Sequence, residues 1–302
     1  MDIAALGYVV IETTDLEKWR FFGTQILGLM VAPNVHAQQQ LYFKMDEYLY
    51  RLRIVHGNSD RFLYAGWELP SKASFLRAVQ ELQSADIAVE IGSREQAGVR
   101  SVREFARFID PAGRIGEIFY GLPLDYAPLL SAVGVRRFVT GRNGDMGLGH
   151  IAIATPDMSA SHAFYTNVMG FGQTDHMSIQ VPGTIGNEDH ELNFLHVSNP
   201  RHHSLALYED NKTAPGDLVH LMLEVDNLDT LGALLDRIHT NQLRIITDLG
   251  RHTNDSMVSV YLESPGGFAI EYGFGGEQVN WAKYLPTEST RTSVWGHRWG
   301  QG

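Results

Sequence analysis

At a constant offset of 142 residues the chain repeats itself. The stretch "LGYVVIETTDLEKWRFFGTQILG" (Leu6–Gly28) returns as "LGHIAIATPDMSASHAFYTNVMG" (Leu148–Gly170), with eight identities in 23 positions. Each copy opens on an alternating apolar strand, Leu6–Glu12 or Leu148–Ala154, the pattern of a half-buried strand. A Thr-x-Asp turn follows, with Asp15 or Asp157 placed to cap a helix N-terminus. Helices over Leu16–Ile26 and Met158–Val168 should stop near Gly28 and Gly170, glycine being the usual residue past a helix end.

The correspondence runs on. "LYFKMD" and "RLRIVHG" read as strands of the first half, "ELNFLHV" and "HSLALYE" as strands of the second. "FLYAGWELPSKASFLRAVQEL" (Phe62–Leu82) matches "LVHLMLEVDNLDTLGALLDRI" (Leu218–Ile238) as strand, polar turn and amphipathic helix, setting Tyr64 against His220 and Glu68 against Glu224. "RFIDPAGRIGEIFYG" and "VYLESPGGFAIEYGF" align Pro111 with Pro265, Gly113 with Gly267 and Glu117 with Glu271, the Pro-x-Gly marking a hairpin turn. A strand–helix–three-strand unit is thus used four times, and repeats this long are domains rather than solenoid turns. The expected fold is α+β: two tandem domains, each a pair of βαβββ modules forming a partly open mixed β-barrel with outer helices. The expected divisions are a first domain over 1–135, a glycine-rich linker over 136–147, a second domain over 148–275 and a tail over 276–302. The tail carries three Trp, which should lie back on the body.

Composition narrows the chemistry. There is no Cys, hence no disulfide, nucleophilic thiol, Cys-ligated zinc or iron–sulfur cluster. A formal charge of -11 argues against nucleic-acid partners, which need a basic face. No apolar run approaches the roughly 20 residues of a membrane helix, and no basic leader precedes the repeat, so a cytoplasmic protein without membrane partners is expected.

The copies disagree where it matters most. At three aligned strand positions the second half has His150, His220 and Glu271, and the first half has Tyr8, Tyr64 and Glu117. Equivalent modules should bring each trio to one spot in its own domain. Two neutral imidazoles and a carboxylate make the facial triad of non-haem Fe(II) oxygenases, with the opposite face open. A phenol with pKa near 10 is a poor ligand for Fe(II) at neutral pH, so only the second half should bind metal. Any one of the 13 His is more often a core or surface residue than a ligand, but three ligand types at matching positions reinforce one another. Glu117 shows that a Glu is kept there without metal, so a structural role for this pair, such as an ion pair, stays open.

These residues, with "GLGHIAI", "NPRHHSLAL", "LVHLMLEV" and "LGRHTNDSMVSVYLESPGGFAIEYG", carry a resemblance that covers nearly the whole chain. The sequence resembles the type I extradiol dioxygenases of the vicinal oxygen chelate superfamily, most of all the two-domain enzymes acting on 2,3-dihydroxybiphenyl and related bicyclic or steroid catechols. Its stretch Leu249–Gly273 follows the family pattern H-x-N-D-x(5)-Y-x(9)-E without a gap. The resemblance implies Fe(II), with Mn(II) as the second option, on His150, His220 and Glu271. It implies a proton-transfer role for His203, contacts from His252 and Tyr261 to the catechol oxygens, and Asn254 and Asp255 beside them, with Asp255 a partner for an active-site His. Strand alternation should turn only one of His202 and His203 inward, and the motif selects His203. Tyr261 could instead be a core aromatic, and Asn254–Asp255 turn residues. Ala152, Leu195 and Met177 are expected to line an apolar pocket.

The implied reaction is extradiol cleavage by O2 to a 2-hydroxy-6-oxo-dienoate, with 2,3-dihydroxybiphenyl the preferred substrate and 1,2-dihydroxynaphthalene, alkyl or secosteroid catechols the alternatives. A homo-oligomer is expected. Glyoxalase-type isomerases of the same fold use a fourth protein ligand. Drug-sequestering relatives are about half this length and have no use for His203 and Tyr261.

Overall fold

The computed structural model describes residues 1–32, 39–141, 146–180, 189–210 and 218–299. Part of the expected linker, 142–145, and the end of the expected tail, 300–302, lie outside the described residues.

Two mixed sheets dominate. The first holds β1 (Ala5–Thr13), β2 (Met30–Val31), β3 (Gln40–Lys44), β4 (Leu52–His56), β5 (Arg61–Leu69), β6 (Glu90–Ile91), β7 (Glu104–Ile109) and β8 (Ile115–Tyr120) in the order β2-β3-β4-β1-β5-β8-β7-β6. The second holds β9 (His150–Thr155), β10 (Gly172–Gln180), β11 (Asp189–His196), β12 (Leu205–Glu209), β13 (Leu218–Val225), β14 (Ile245–His252), β15 (Val258–Glu263), β16 (Ala269–Phe274), β17 (Thr287–Ser289) and β18 (Ser293–Trp295). Its order is β17-β10-β11-β12-β9-β13-β16-β15-β14-β18. In both sheets the two inner module strands pair antiparallel, β1 with β5 and β9 with β13. Each also has a parallel partner within its own module, through β1·β4, β5·β8, β9·β12 and β13·β16. This is the mixed α+β architecture expected.

The helices α1 (Leu16–Phe21), α2 (Lys72–Ser84), α3 (Arg94–Val99), α4 (Met158–Ala163) and α5 (Leu228–Thr240) start where capping chemistry dictates. Asp15 and Asp157 accept backbone N–H groups of the first turn, and Ser93 and Gln96 form a capping box. One expectation is corrected. The helices expected over Leu16–Ile26 and Met158–Val168 are α-helical only to Phe21 and Ala163; Phe22–Ile26 and Phe164–Val168 are π-helical. In each, the N–H five residues on, of Leu27 or Met169, donates to the carbonyl of Phe22 or Phe164. At 3.6 residues per turn Leu27 would swing off the face that buries Phe22 and Ile26, and the wider turn returns it to the core.

One apolar cluster takes residues from both sheets and from the helices between them. Trp67 meets Phe171 edge-on at 4.9 Å, Phe108 meets Phe164 at 5.8 Å and Trp19 meets Phe268 at 6.0 Å. Strand alternation sends the other side chains to the concave faces. In the first sheet that face is filled by aromatics, Tyr8, Tyr42, Tyr50, Tyr64, Phe105 and Phe119. In the second it carries a small apolar group, Ala152, Met177, Phe194 and Ala206, beside histidines. After Gly275 the chain crosses the molecule, adding β17 to the β10 edge and β18 to the β14 edge of one sheet.

Candidate metal centre

His150, His220 and Glu271 stand on β9, β13 and β16, three strands adjacent in the sheet. A register shift between Leu218 and His220 in the β9·β13 pair sets the height of His220. His150 Nε2 lies 3.0 Å from His220 Nε2 and 3.1 Å from Glu271 Oε2, and His220 Nε2 lies 3.4 Å from the same oxygen. Imidazole–metal bonds of about 2.1 Å at right angles to one another separate their donor atoms by about 3.0 Å. The triangle therefore has the size and composition of a facial metal triad, and the residues fit the ion. His150 and Glu271 are buried and His220 is half-buried, so without a cation these donors would face one another largely shielded from water. Among the described residues no other trio of His, Asp or Glu brings its ligand atoms so close.

The surroundings set the charge states. Burial alone would raise Glu271, but hydrogen bonds from His150 and His252, and their charge, hold its carboxyl well below the usual range. Burial pushes His220 down to about 3. His203 stacks on His150 at 4.0 Å and is driven well below its ordinary value by burial, then by His150 and His202. It is a neutral imidazole at neutral pH. On the other side, His252 Nε2 lies 2.9 Å from Tyr261 Oη and 3.2 Å from Glu271 Oε1. Burial would lower His252, yet the Glu271 carboxylate raises it to about 9. Tyr261 is raised well above its ordinary value by burial and by Glu271.

Several expected residues are placed differently. His202 and His203 do not lie on a strand, so alternation does not choose between them, and both are buried. His203 turns to His150, while His202 turns away, its Nδ1 3.1 Å from His203 Nδ1 and its Nε2 3.3 Å from Tyr284 Oη. Their loop is fixed by Arg201, which donates to Glu224, Met146 O and Val139 O. Leu195 is corrected: it belongs to the cluster between the sheets, and its neighbour Phe194 faces the site, edge-on to His203 at 4.9 Å. Ala152 and Met177 do lie on the site face. Asp255 is corrected too. It is buried and, among the described residues, hydrogen-bonds no histidine; its carboxylate accepts the Met257 N–H at 3.0 Å, while Asn254 Oδ1 accepts the Asp255 N–H at 2.9 Å. Both close their own turn, as Asx residues do, although the Asp255 charge still raises His252 and His202.

The first half answers the open point about its Glu. Glu117 receives two hydrogen bonds of 2.7 Å from Arg100, two of 3.1 and 3.0 Å from Arg107, and one of 2.7 Å from Tyr8. Arg100 also donates to Tyr64 Oη at 3.0 Å. Two guanidinium groups stand where the other half offers room for a cation. Gly66 admits the Tyr8 ring, which a Cβ there would strike. Sequence reasoning missed both arginines, although Arg107 aligns with Tyr261 once Glu117 is set against Glu271.

Comparison with known proteins agrees with this geometry. The model of the Glyoxalase/Bleomycin resistance protein/Dioxygenase superfamily matches residues 147–272, and that of the dihydroxybiphenyl dioxygenase BphC first domain matches residues 6–57. An iron-dependent extradiol dioxygenase of Rhodococcus jostii (strain RHA1) is 39% identical, over 100% of this chain and 99% of its own length. A biphenyl-2,3-diol 1,2-dioxygenase of Paraburkholderia xenovorans (strain LB400) is 35% identical, over 99% of this chain and 96% of its own. The crystal structure of BphC, a halotolerant catechol dioxygenase, superposes with a TM-score of 0.87 at 32% identity, covering 98% of this chain and 95% of that one.

Proposed function

Because this chain belongs to the extradiol dioxygenases of the Glyoxalase/Bleomycin resistance protein/Dioxygenase superfamily, we propose that it opens an aryl-substituted catechol, 2,3-dihydroxybiphenyl before others. Both atoms of O2 enter beside the diol, and the product is a 2-hydroxy-6-oxo-dienoate. The observation that carries this reading is the imidazole–imidazole–carboxylate face flanked by the neutral His203 and by the His252–Tyr261 pair. His150, His220 and Glu271 would hold iron(II), which supplies a redox link between a catecholate and dioxygen.

The remaining work falls to the protein. Tyr261 and His252, bonded to each other, offer a hydroxyl and a ring nitrogen to hydroxyls of the substrate. His203, buried and uncharged, can take and return a proton near neutral pH. Arg201 holds its loop in place. Ala152, Met177, Phe194 and Ala206 give an apolar wall that suits a second ring and excludes water. The division into a metal-free domain over 1–135, a linker over 136–147, a catalytic domain over 148–275 and a tail from 276 belongs to the same proposal, as does a homo-oligomeric state that light scattering would test.

Anaerobic reconstitution with Fe(II), or with Mn(II) in parallel, followed by oxygen uptake and product absorbance over biphenyl, naphthalene, alkylbenzene and secosteroid catechols, tests the reading. Turnover fastest with the biphenyl diol supports it; binding without oxygen consumption overturns it. His150→Ala should lose iron. His203→Ala should keep iron and lower kcat by about 10²- to 10⁴-fold, the usual worth of a positioned proton-transfer group.

A further inference from the structure

We propose that His297, on the segment following the last sheet of the repeat, is a positioning residue for His252, holding that ring in the orientation in which its Nε2 meets Tyr261. The inference rests on the dioxygenase reading for its consequence, and on geometry for its substance. His252 is reached from three sides. Its Nδ1 donates to Thr292 O at 3.1 Å, its Nε2 faces Tyr261 and Glu271, and one ring face is covered by His297, whose centroid lies 4.2 Å away at 34°. Two of these three contacts come from the same late segment of chain.

His297 is itself fixed at both nitrogens. Its Nε2 lies 3.0 Å from Ser259 O, a carbonyl that can only accept, so this nitrogen carries the proton. Its Nδ1, left as an acceptor, receives Ser293 Oγ–H at 2.8 Å. The ring is 4% exposed and tethered between β15 and β18, so it cannot turn without breaking a bond. Trp299 follows it against Tyr261 at 5.0 Å.

The backbone is shaped to deliver this ring. Gly250, on β14, lies directly beneath it, and a Cβ there would collide with the imidazole. Gly296 has φ +71, and a Cβ on it would strike Leu249 O. His297 has φ +48, a left-handed conformation that a non-glycine residue holds only where its surroundings impose it. Two glycines and one strained histidine are a large outlay of conformation for a group that touches neither the triad nor the apolar wall, among the contacts seen. What it does touch is His252, at 4.2 Å, and, edge-on at 5.7 Å, the Tyr261 that His252 meets.

The test uses the full-length, iron-loaded protein with His297→Leu and His297→Gln. The leucine removes the flat face and both tethers; the glutamine keeps an N–H for Ser259 O. Iron content should equal that of the unaltered protein in both. For His297→Leu, kcat per iron should fall about 10- to 100-fold, since misplacing a group by an ångström costs up to that much. KM should change little, and a crystal structure should show the His252 ring turned away from Tyr261 or in two orientations. His297→Gln should recover part of kcat. Unchanged kcat per iron and an unmoved His252 in the leucine variant, or a loss explained wholly by lost iron, would overturn the proposal. Absence of oxygen uptake in the unaltered protein would instead remove the dioxygenase reading, while the His252 orientation in the variant would still decide this one.

Discussion

Glu117 and Glu271 occupy aligned positions, and each is a fully buried carboxylate whose charge must be met. Glu117 meets it with Arg100 and Arg107; Glu271 faces the imidazoles of His150, His220 and His252, the first two forming a metal-sized triangle with it. Removing one partner of a buried pair leaves the rest uncompensated, at a cost of about 3–5 kcal/mol. Glu117→Leu should therefore lower unfolding stability by roughly that amount in urea titrations, with iron content unchanged. The asymmetry also runs deeper than the tyrosines. Tyr8→His combined with Tyr64→His should bind no additional iron, because the guanidinium groups already saturate Glu117; a raised iron content by metal analysis would refute this. The metal trio was legible because two Tyr-to-His differences and a shared Glu fell at aligned positions. The arginines were not: nothing local ties Arg100, at the end of a short helix, to Glu117, and Arg107 meets it only through the register of the β7·β8 pair. Leu195 was misplaced for a simpler reason: the parity of β11 is fixed only by its pairing, Phe194 with Ala206 and Leu195 with Leu205.

Among the elements, the late strands are the ones the repeat did not announce. Thr287–Ser289 and Ser293–Trp295 lie outside the duplicated pattern, and their Trp residues suggested only packing, yet they extend both edges of the second sheet. β17 is held by more than its ladder: Asp175, buried on β10, accepts Thr287 Oγ1 and Ser289 Oγ at 2.7 Å each. Asp175→Ala removes both acceptors, so β17 should detach more often. Limited trypsin digestion should then cut faster at Lys283 and Arg291, read by mass spectrometry, and equal rates would show that the ladder alone suffices. The π-helical turns escaped notice for a related reason. An apolar pattern of helical period runs through Phe22 and Leu27 and is compatible with either helix; the buried face of the finished fold decides between them.

Across the whole molecule, one apolar cluster and several hydrogen bonds between the halves bind them into a common interior. Tyr165 donates to Asp110 at 3.0 Å, Arg237 to Ile26 O at 2.9 Å, and Arg114 to Ala154 O. The buried histidines of one half therefore act on the stability of both. His297 is pushed down to about 4 by burial and then by His252, from an ordinary value of 6.5. Between those two pH values the unfolded chain binds a proton that the folded one refuses. A group depressed in this way contributes stability that is complete above pH 6.5 and is lost as pH falls toward 4. Burial of His203 acts in the same direction. In His297→Phe one of these linkages is gone and the others remain, so its Tm should fall less steeply than that of the unaltered protein between pH 6.5 and 4. Above pH 7 the two slopes should coincide. Parallel melting curves across the acid window would mean that His297 is charged in the folded protein, and the Ser259 carbonyl could not then be what fixes its single proton.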